Sequence, residues 1–218
     1  LWQCKCDWRP VDDPVTPEPE RIVPPSKGLE GNPYQTGELI TDKHPFFKDA
    51  PKWVERNAML LLPDDLAFVK VETKYGDFLE HRLLNNEPEI AENRKIATFM
   101  IENGSKDIKL LPVISKLEVE LRIRYFGEKY NSEFPTTNPD SIIDGKIIEF
   151  KSGKRTKLSR RILEGALQSD IVIIRSKDSL SSEYIARFIY DQWEMEDRKN
   201  LITIILINNN EILRFDRP

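Results

Sequence analysis

Asn138-Pro139-Asp140-Ser141-Ile142-Ile143-Asp144-Gly145-Lys146-Ile147-Ile148-Glu149-Phe150-Lys151 is the stretch on which the reading of this chain turns. Asp-Gly between two β-rich runs is the strongest short-range signal for a two-residue type I′ hairpin, because both central residues must take positive φ. With Asp144-Gly145 as the turn, Ile143 faces Lys146, Ile142 faces Ile147, Ser141 faces Ile148 and Asp140 faces Glu149. Directly opposed residues have Cβ atoms about 4.5–5.5 Å apart, and like charges there destabilise unless a cation lies between them. Alternation puts Lys151 on the face of Glu149 and turns Ile148 and Phe150 toward a core on the other face. Two acids and a lysine are therefore expected to converge at one edge of a sheet.

That set has a chemical use. A divalent cation such as Mg²⁺ takes one or two carboxylates and keeps several waters, so Asp140 and Glu149 are its expected ligands, holding it against a phosphate. Mn²⁺ and Zn²⁺ are the other candidates. The cation would polarise the phosphoryl group and lower the pKa of a bound water, while Lys151 stabilises charge or orients the attacking water. The plain alternative is a solvated hairpin with Glu149 and Lys151 as surface residues. That would be the better reading of an isolated E-x-K, and Pro139-Asp140 across the hairpin favours the functional one.

Working outward, Phe68 to Thr73 and Phe78 to Leu84 read as strands around a turn at Tyr75-Gly76-Asp77. A helix is predicted from Pro88 to Asn103, with proline at its first position and Gly104 just past its end. Ile108 to Leu111 reads as a short strand, Ser115 to Tyr125 as a helix, and the stretch to Asn138 as irregular. After the hairpin come a helix over Lys157 to Gln168, a fully buried strand over Ile171 to Ile174, a helix over Ser181 to Glu196 and a strand over Ile202 to Ile207. A turn is expected at Asn208-Asn209-Asn210. Helices alternating with apolar strands argue for an α/β domain with a mixed central sheet flanked by helices.

Upstream the composition changes. Of 15 prolines, ten lie at or before Pro63, so residues 1–63 are expected to be a Pro-rich extended linker and the folded domain to span 64–218. Cys4 and Cys6 are too close for an easy mutual disulfide and too few for a zinc site by themselves. With only His44 and His81, mechanisms needing two histidines as acid and base are poorly supported. No apolar run approaches the ~20 residues of a membrane span. No signal peptide is expected either, and the chain reads as part of a longer polypeptide. The net charge of -4 argues against a globally basic nucleic-acid coat. Locally the balance reverses: Lys151, Lys154, Arg155, Lys157, Arg160 and Arg161 come within eleven residues that contain no acid, giving a local affinity for phosphates. On the following helix Lys157, Arg161, Glu164 and Gln168 share a face.

Pro139-Asp140 followed by Glu149-Phe150-Lys151 resembles the signature of PD-(D/E)XK nucleases. The wider stretch from Glu92 to Phe215, with Glu92-Asn93-Arg94-Lys95-Ile96-Ala97, Leu110-Leu111-Pro112, Asp144-Gly145 and Gln168, resembles the C-terminal nuclease domain of CdiA-type contact-dependent toxins. The resemblance implies that Asp140 and Glu149 bind metal and Lys151 assists catalysis. It adds Glu92, an acid on the preceding helix, to the metal set, and Gln168, at a point where related domains commonly carry a Gln, to the catalytic set. The stretch Ser115 to Thr137 is longer than a simple version of that fold needs. At the N-terminus, Cys4-x-Cys6 with Trp8, Gly31-Asn32-Pro33, Thr36-Gly37-Glu38 and His44-Pro45-Phe46-Phe47 resembles the tail of a phage Mu F-like head morphogenesis protein. The resemblances imply a metal-dependent toxin nuclease, with tRNA favoured over DNA, tethered to an upstream carrier that is virion-associated or secreted. It would act in the cytoplasm of a target bacterium and have a dedicated immunity protein. The alternatives are a DNase of the same fold and an inactive phage structural module binding capsid or portal protein.

Overall fold

The computed structural model describes residues 52–86 and 89–218. The proline-rich stretch up to Pro51, with the Cys4-x-Cys6 and Gly31-Asn32-Pro33 motifs and His44, lies outside the described residues, as does Pro88. Two helices come first, α1 (Lys52–Leu61) and α2 (Asp64–Ala67), then strands β1 (Phe68–Thr73) and β2 (Gly76–His81) and helix α3 (Ile90–Glu102). Next are β3 (Ile108–Leu110), α4 (Val119–Phe126), α5 (Glu128–Glu133), β4 (Ser141–Ile143) and β5 (Lys146–Gly153). The last elements are α6 (Leu158–Ala166), β6 (Ile171–Ser176), α7 (Ser182–Glu194), β7 (Thr203–Asn208) and β8 (Glu211–Asp216).

The eight strands lie side by side in chain order. Pairs β2–β3, β5–β6 and β6–β7 are parallel and the others antiparallel, which makes the expected mixed sheet. Each parallel step is bridged by a helical connection, as a crossover requires. The hairpin register is the one expected, with Ser141, Ile142 and Ile143 facing Ile148, Ile147 and Lys146. Asp144 and Gly145 take φ of 49° and 77°, the conformation a type I′ turn demands. Strand β5 changes partner midway: it pairs with β4 through Ile148 and with β6 from Glu149 onward.

Both faces of the sheet are covered. Ile96, Ala97, Met100 and Ile101 of α3 pack on Ile108, Ile143, Ile148, Phe150, Ile173 and Ile205. On the other face, Leu158 and Ile162 of α6 and Ile185, Phe188 and Ile189 of α7 pack on Val172, Ile174, Ile204 and Leu206. That is why β6 and β7 read as continuous apolar runs rather than alternating ones. A third cluster joins α1, α4 and α5 through Leu60, Tyr125, Phe126 and Tyr130 to Phe68, Leu111 and Ile114. His81 braces it. Its Nδ1 accepts from Leu83 N–H, so Nε2 carries the proton and donates to the Tyr125 hydroxyl, which donates on to the Leu60 carbonyl.

Some element boundaries differ from expectation, each for a local reason. The first hairpin turns at Lys74-Tyr75, with Gly76 already paired to Thr73, so β2 ends at His81 and a short 3₁₀ segment follows. The helix expected over Ser115 to Tyr125 starts at Val119. Gly127, at φ 83°, then breaks the chain into a second short helix where irregular structure was expected. Gln168 falls beyond α6, which ends at Ala166 and is preceded by a 3₁₀ turn at Arg155–Lys157. The Asn209-Asn210 turn, both residues at positive φ, leads into the unanticipated edge strand β8. Helix α3 closes as expected, Gly104 donating to Ile101 and Ser105 to Met100, a Schellman ending. Among the described residues no helix is long and apolar enough to cross a membrane.

Candidate active site

The site sits where β5 exchanges one neighbour for the other. Continuing the β4–β5 ladder past Ser141 would bring residue 139 opposite Phe150, but Pro139 has no N–H to return. The Asp140 side chain takes over: its Oδ2 accepts the Phe150 N–H at 2.8 Å. Its Oδ1 accepts from Asn93 Nδ2 of α3 at 2.9 Å. Strand β4 thus stops short of Pro139, and the Asp140 carboxylate reaches across the gap to β5 beside Glu149.

Glu149 is almost completely buried, 2% exposed, on the face of β5 opposite Phe150. Its Oε1 forms a short ion pair with Lys151 Nζ, and the lysine side chain is only 13% exposed. Its Oε2 is buried and meets no N–H or hydroxyl donor among the described residues, and the group next to Glu149 is the Asp140 carboxyl, with which it can bond only by sharing a proton. Burial pushes the Asp140 carboxyl above its ordinary range, against the pull of Lys151, the Phe150 N–H and Asn93. Burial, and then the neighbouring Asp140 charge, push Glu149 well above its own. Lys151 stays cationic: burial works against its charge, but Glu149 and Asp140 together raise its pKa. The raised values mean that the carboxyl pair favours taking up positive charge, as a proton or, in its place, as a cation.

The donor set fits a hard divalent ion. Among the described residues no group of three or more His, Cys, Asp or Glu side chains gathers for a metal. Two carboxylates, one with an oxygen to spare, are the complement that Mg²⁺ commonly takes while keeping its waters.

The other expected residues are placed differently. Glu92 does not join the pair: it binds Arg175 at 2.7 Å and Lys95 at 3.4 Å. These cations hold its pKa down against the opposing effect of burial. Its neighbour Asn93 is the α3 side chain that reaches Asp140. Gln168 donates from Nε2 to the Glu164 carbonyl at 3.1 Å, and its own carbonyl accepts the Tyr130 hydroxyl at 2.6 Å. Of the basic run, Lys154, Arg155 and Lys157 are exposed and make no ion pair among the described residues, and Arg155 lies over the Tyr184 ring at 4.1 Å. Arg160 and Arg161 both bind Glu164, at 2.8 and 2.7 Å, so their charge is partly spent. Lys154 follows Lys151 by three residues, about 10 Å along an extended chain.

Two contributions came from residues without a motif. Tyr130 of α5 is buried, its pKa raised by burial and further by Glu149 and Asp140, and its hydroxyl donates to the Gln168 backbone carbonyl, tying the insertion from Ser115 to Thr137 to the end of α6. Arg122 holds that insertion in shape. Completely buried, it donates to five oxygens: the carbonyls of Ile114, Phe134 and Thr137, and the side-chain Oδ1 of Asn131 and Asn138. Nothing in the local sequence distinguishes Arg122 or Tyr130 from the ordinary members of an amphipathic helix.

Compared with protein-family models, with curated proteins and with solved structures, the chain matches none of them.

Proposed function

We propose that the domain is a metal-dependent nuclease of the PD-(D/E)XK kind, hydrolysing phosphodiester bonds, with tRNA the favoured substrate. In this reading it is the toxin of a longer carrier resembling phage Mu F-like head proteins at its N-terminus, and it is paired with an immunity protein. The observation that carries the nuclease reading is the convergence of Asp140, Glu149 and Lys151 at the partner exchange of β5, with Glu149 Oε2 buried and meeting no donor group among the described residues. The choice of tRNA and the toxin context rest on the resemblance to CdiA-type domains.

Asp140 and Glu149 would hold the cation. When bound, it supplies Lewis-acid polarisation of the phosphoryl oxygen and a water of lowered pKa. Asn93 and the Phe150 N–H fix the Asp140 carboxylate, so that charge is preorganised rather than recruited. Lys151, held by Glu149, presents a cation to the charge that develops on the phosphate. Lys154, Arg155 and Lys157 bind the flanking backbone.

The decisive experiment incubates the protein with tRNA, total RNA and plasmid, with Mg²⁺ or Mn²⁺ and with EDTA. Cleavage is expected to require the cation and to fall about 100-fold or more on replacing Asp140, Glu149 or Lys151 by Ala, with the circular dichroism spectrum retained. Full activity in the triple variant, or no cleavage of any nucleic acid by the parent protein, defeats the reading; plasmid cut in preference to RNA makes it a DNase.

A further inference from the structure

Beside Asp140 opens a cleft of about 350 Å³, at the small end of the roughly 300–1,000 Å³ of ligand pockets. Its walls are apolar: Leu84, Ile90, Val113 and Pro139 line it. Four polar side chains share the lining, Asn93, Asn138, Glu89 and Asp140 itself.

The two amides have fixed orientations. Asn138 Oδ1 accepts from the Ile114 N–H at 2.8 Å and from Arg122 Nη1 at 3.2 Å; a flipped amide would set donor against donor. Its Nδ2 hydrogens therefore have no protein partner among the described residues. Asn93 must direct Nδ2 at the Asp140 carboxylate, which leaves its Oδ1 unengaged in the same way. Donors from Asn138, an acceptor from Asn93 and the Glu89 carboxylate thus line one small apolar cleft that shares Asp140 with the proposed metal site.

We infer that this cleft holds a single unstacked nucleobase of the substrate, the one adjoining the scissile phosphate. The inference rests on the nuclease reading and deepens it. A base has flat apolar faces for the walls and an edge of mixed donors and acceptors for the amides. A base inside a duplex cannot enter without being extruded. The substrate class is therefore single-stranded or loop nucleic acid, and Asn138, positioned by Arg122, reads the base edge.

Two measurements test this. In the first, short single-stranded RNAs carrying one abasic residue at successive positions are cleaved by the parent protein and by V113W, which fills the cleft from a half-exposed position (46%). One abasic position should lower kcat/KM about tenfold, V113W should lower it similarly on intact RNA, and the two losses should not add. In the second, nucleoside monophosphates and ribose 5-phosphate are titrated into ¹⁵N-labelled protein. Shifts at Asn93 and Asn138 with the nucleotides and not with the sugar phosphate are expected. N138D keeps both acceptor bonds and turns the outward donors into an acceptor. It should therefore shift preference from bases offering carbonyls, G and U, toward those offering amines, A and C. Cleavage indifferent to every abasic position, or duplex cut as fast as single strands, overturns the inference and leaves the nuclease reading standing. Base-dependent shifts in a protein that cuts nothing keep the cleft and remove the nuclease; no base-dependent shifts and no cleavage remove both.

Discussion

At Glu149 a carboxylate gives up water for one ion pair, and among the described residues its second oxygen meets no donor group. A buried acceptor left unsatisfied costs about 1–3 kcal/mol, and the adjoining Asp140 adds repulsion. E149Q should relieve both, because its amide can keep the Lys151 contact through Oε1 and donate from Nε2 to Asp140. The expected outcome is a variant about 1–2 kcal/mol more stable than the parent in EDTA, yet insensitive to Mn²⁺, whereas the parent gains stability as Mn²⁺ binds. Urea unfolding with and without the ion measures both effects. A destabilised E149Q that still responds to Mn²⁺ would show that the spare oxygen has another purpose. At this scale the sequence was explicit about Asp140, Glu149 and Lys151, because a two-residue turn dictates which side chains meet. It could not place Glu92, since helix phase alone does not tell which of two adjacent residues faces the sheet edge; Arg175, distant in sequence, pairs with Glu92, and Asn93 meets Asp140.

Among the elements, α6 packs against β5 beside Lys151. It approaches the sheet so tightly at Gly165 that an added Cβ would stand 2.8 Å from Val172 Cγ2 and 3.5 Å from Lys151 Cγ. G165A should therefore push the helix outward at a cost of about 1–3 kcal/mol. V172A should recover much of it, because the clash is with a side chain rather than backbone; thermal melts of the two single variants and the double variant read the non-additivity. Equal and additive losses would place the strain elsewhere. The turn that introduces α6 carries the cations that make no ion pair among the described residues. Replacing Lys154, Arg155 and Lys157 together by Ala should lower the slope of log K against log salt for a single-stranded ligand by about 2, at about 0.7 for each phosphate contact. Removing Arg160 and Arg161 should change it less, since Glu164 already neutralises part of their charge. Periodicity placed α3, α6 and α7 to within a few residues because each has a one-sided apolar face. It missed α5 and β8, which are short and have no sustained pattern.

For the molecule as a whole, the cluster that fastens α1 and α4 to the sheet hangs on His81, which burial holds to a pKa of about 4 against an ordinary 6.5. Above pH 6.5 the imidazole is neutral in the folded and unfolded chain alike, and the cluster contributes fully. As pH falls from 6.5 toward 4 the unfolded chain takes up a proton that the folded one refuses. Stability then falls by up to about 1.4 kcal/mol per pH unit, about 3 kcal/mol in all. Glu149 works in the opposite direction, since its raised pKa makes its contribution fall as pH rises. The comparison of H81Q with the parent by urea titration at pH 7 and pH 5 isolates the histidine: the gap between them should narrow at the lower pH, and a constant gap would exclude the linkage. The sequence by itself determined the hairpin, its register, the faces of β5 and the mixed character of the sheet, because these follow from turn stereochemistry and local apolar periodicity. Only the tertiary structure decided that β5 exchanges partners at Glu149, that Asn93 rather than Glu92 meets Asp140, and that Arg122 of the insertion fixes Asn138 in the wall of a cleft. Those outcomes depend on which distant groups compete for the same buried carboxylate or carbonyl, and that competition is settled by packing.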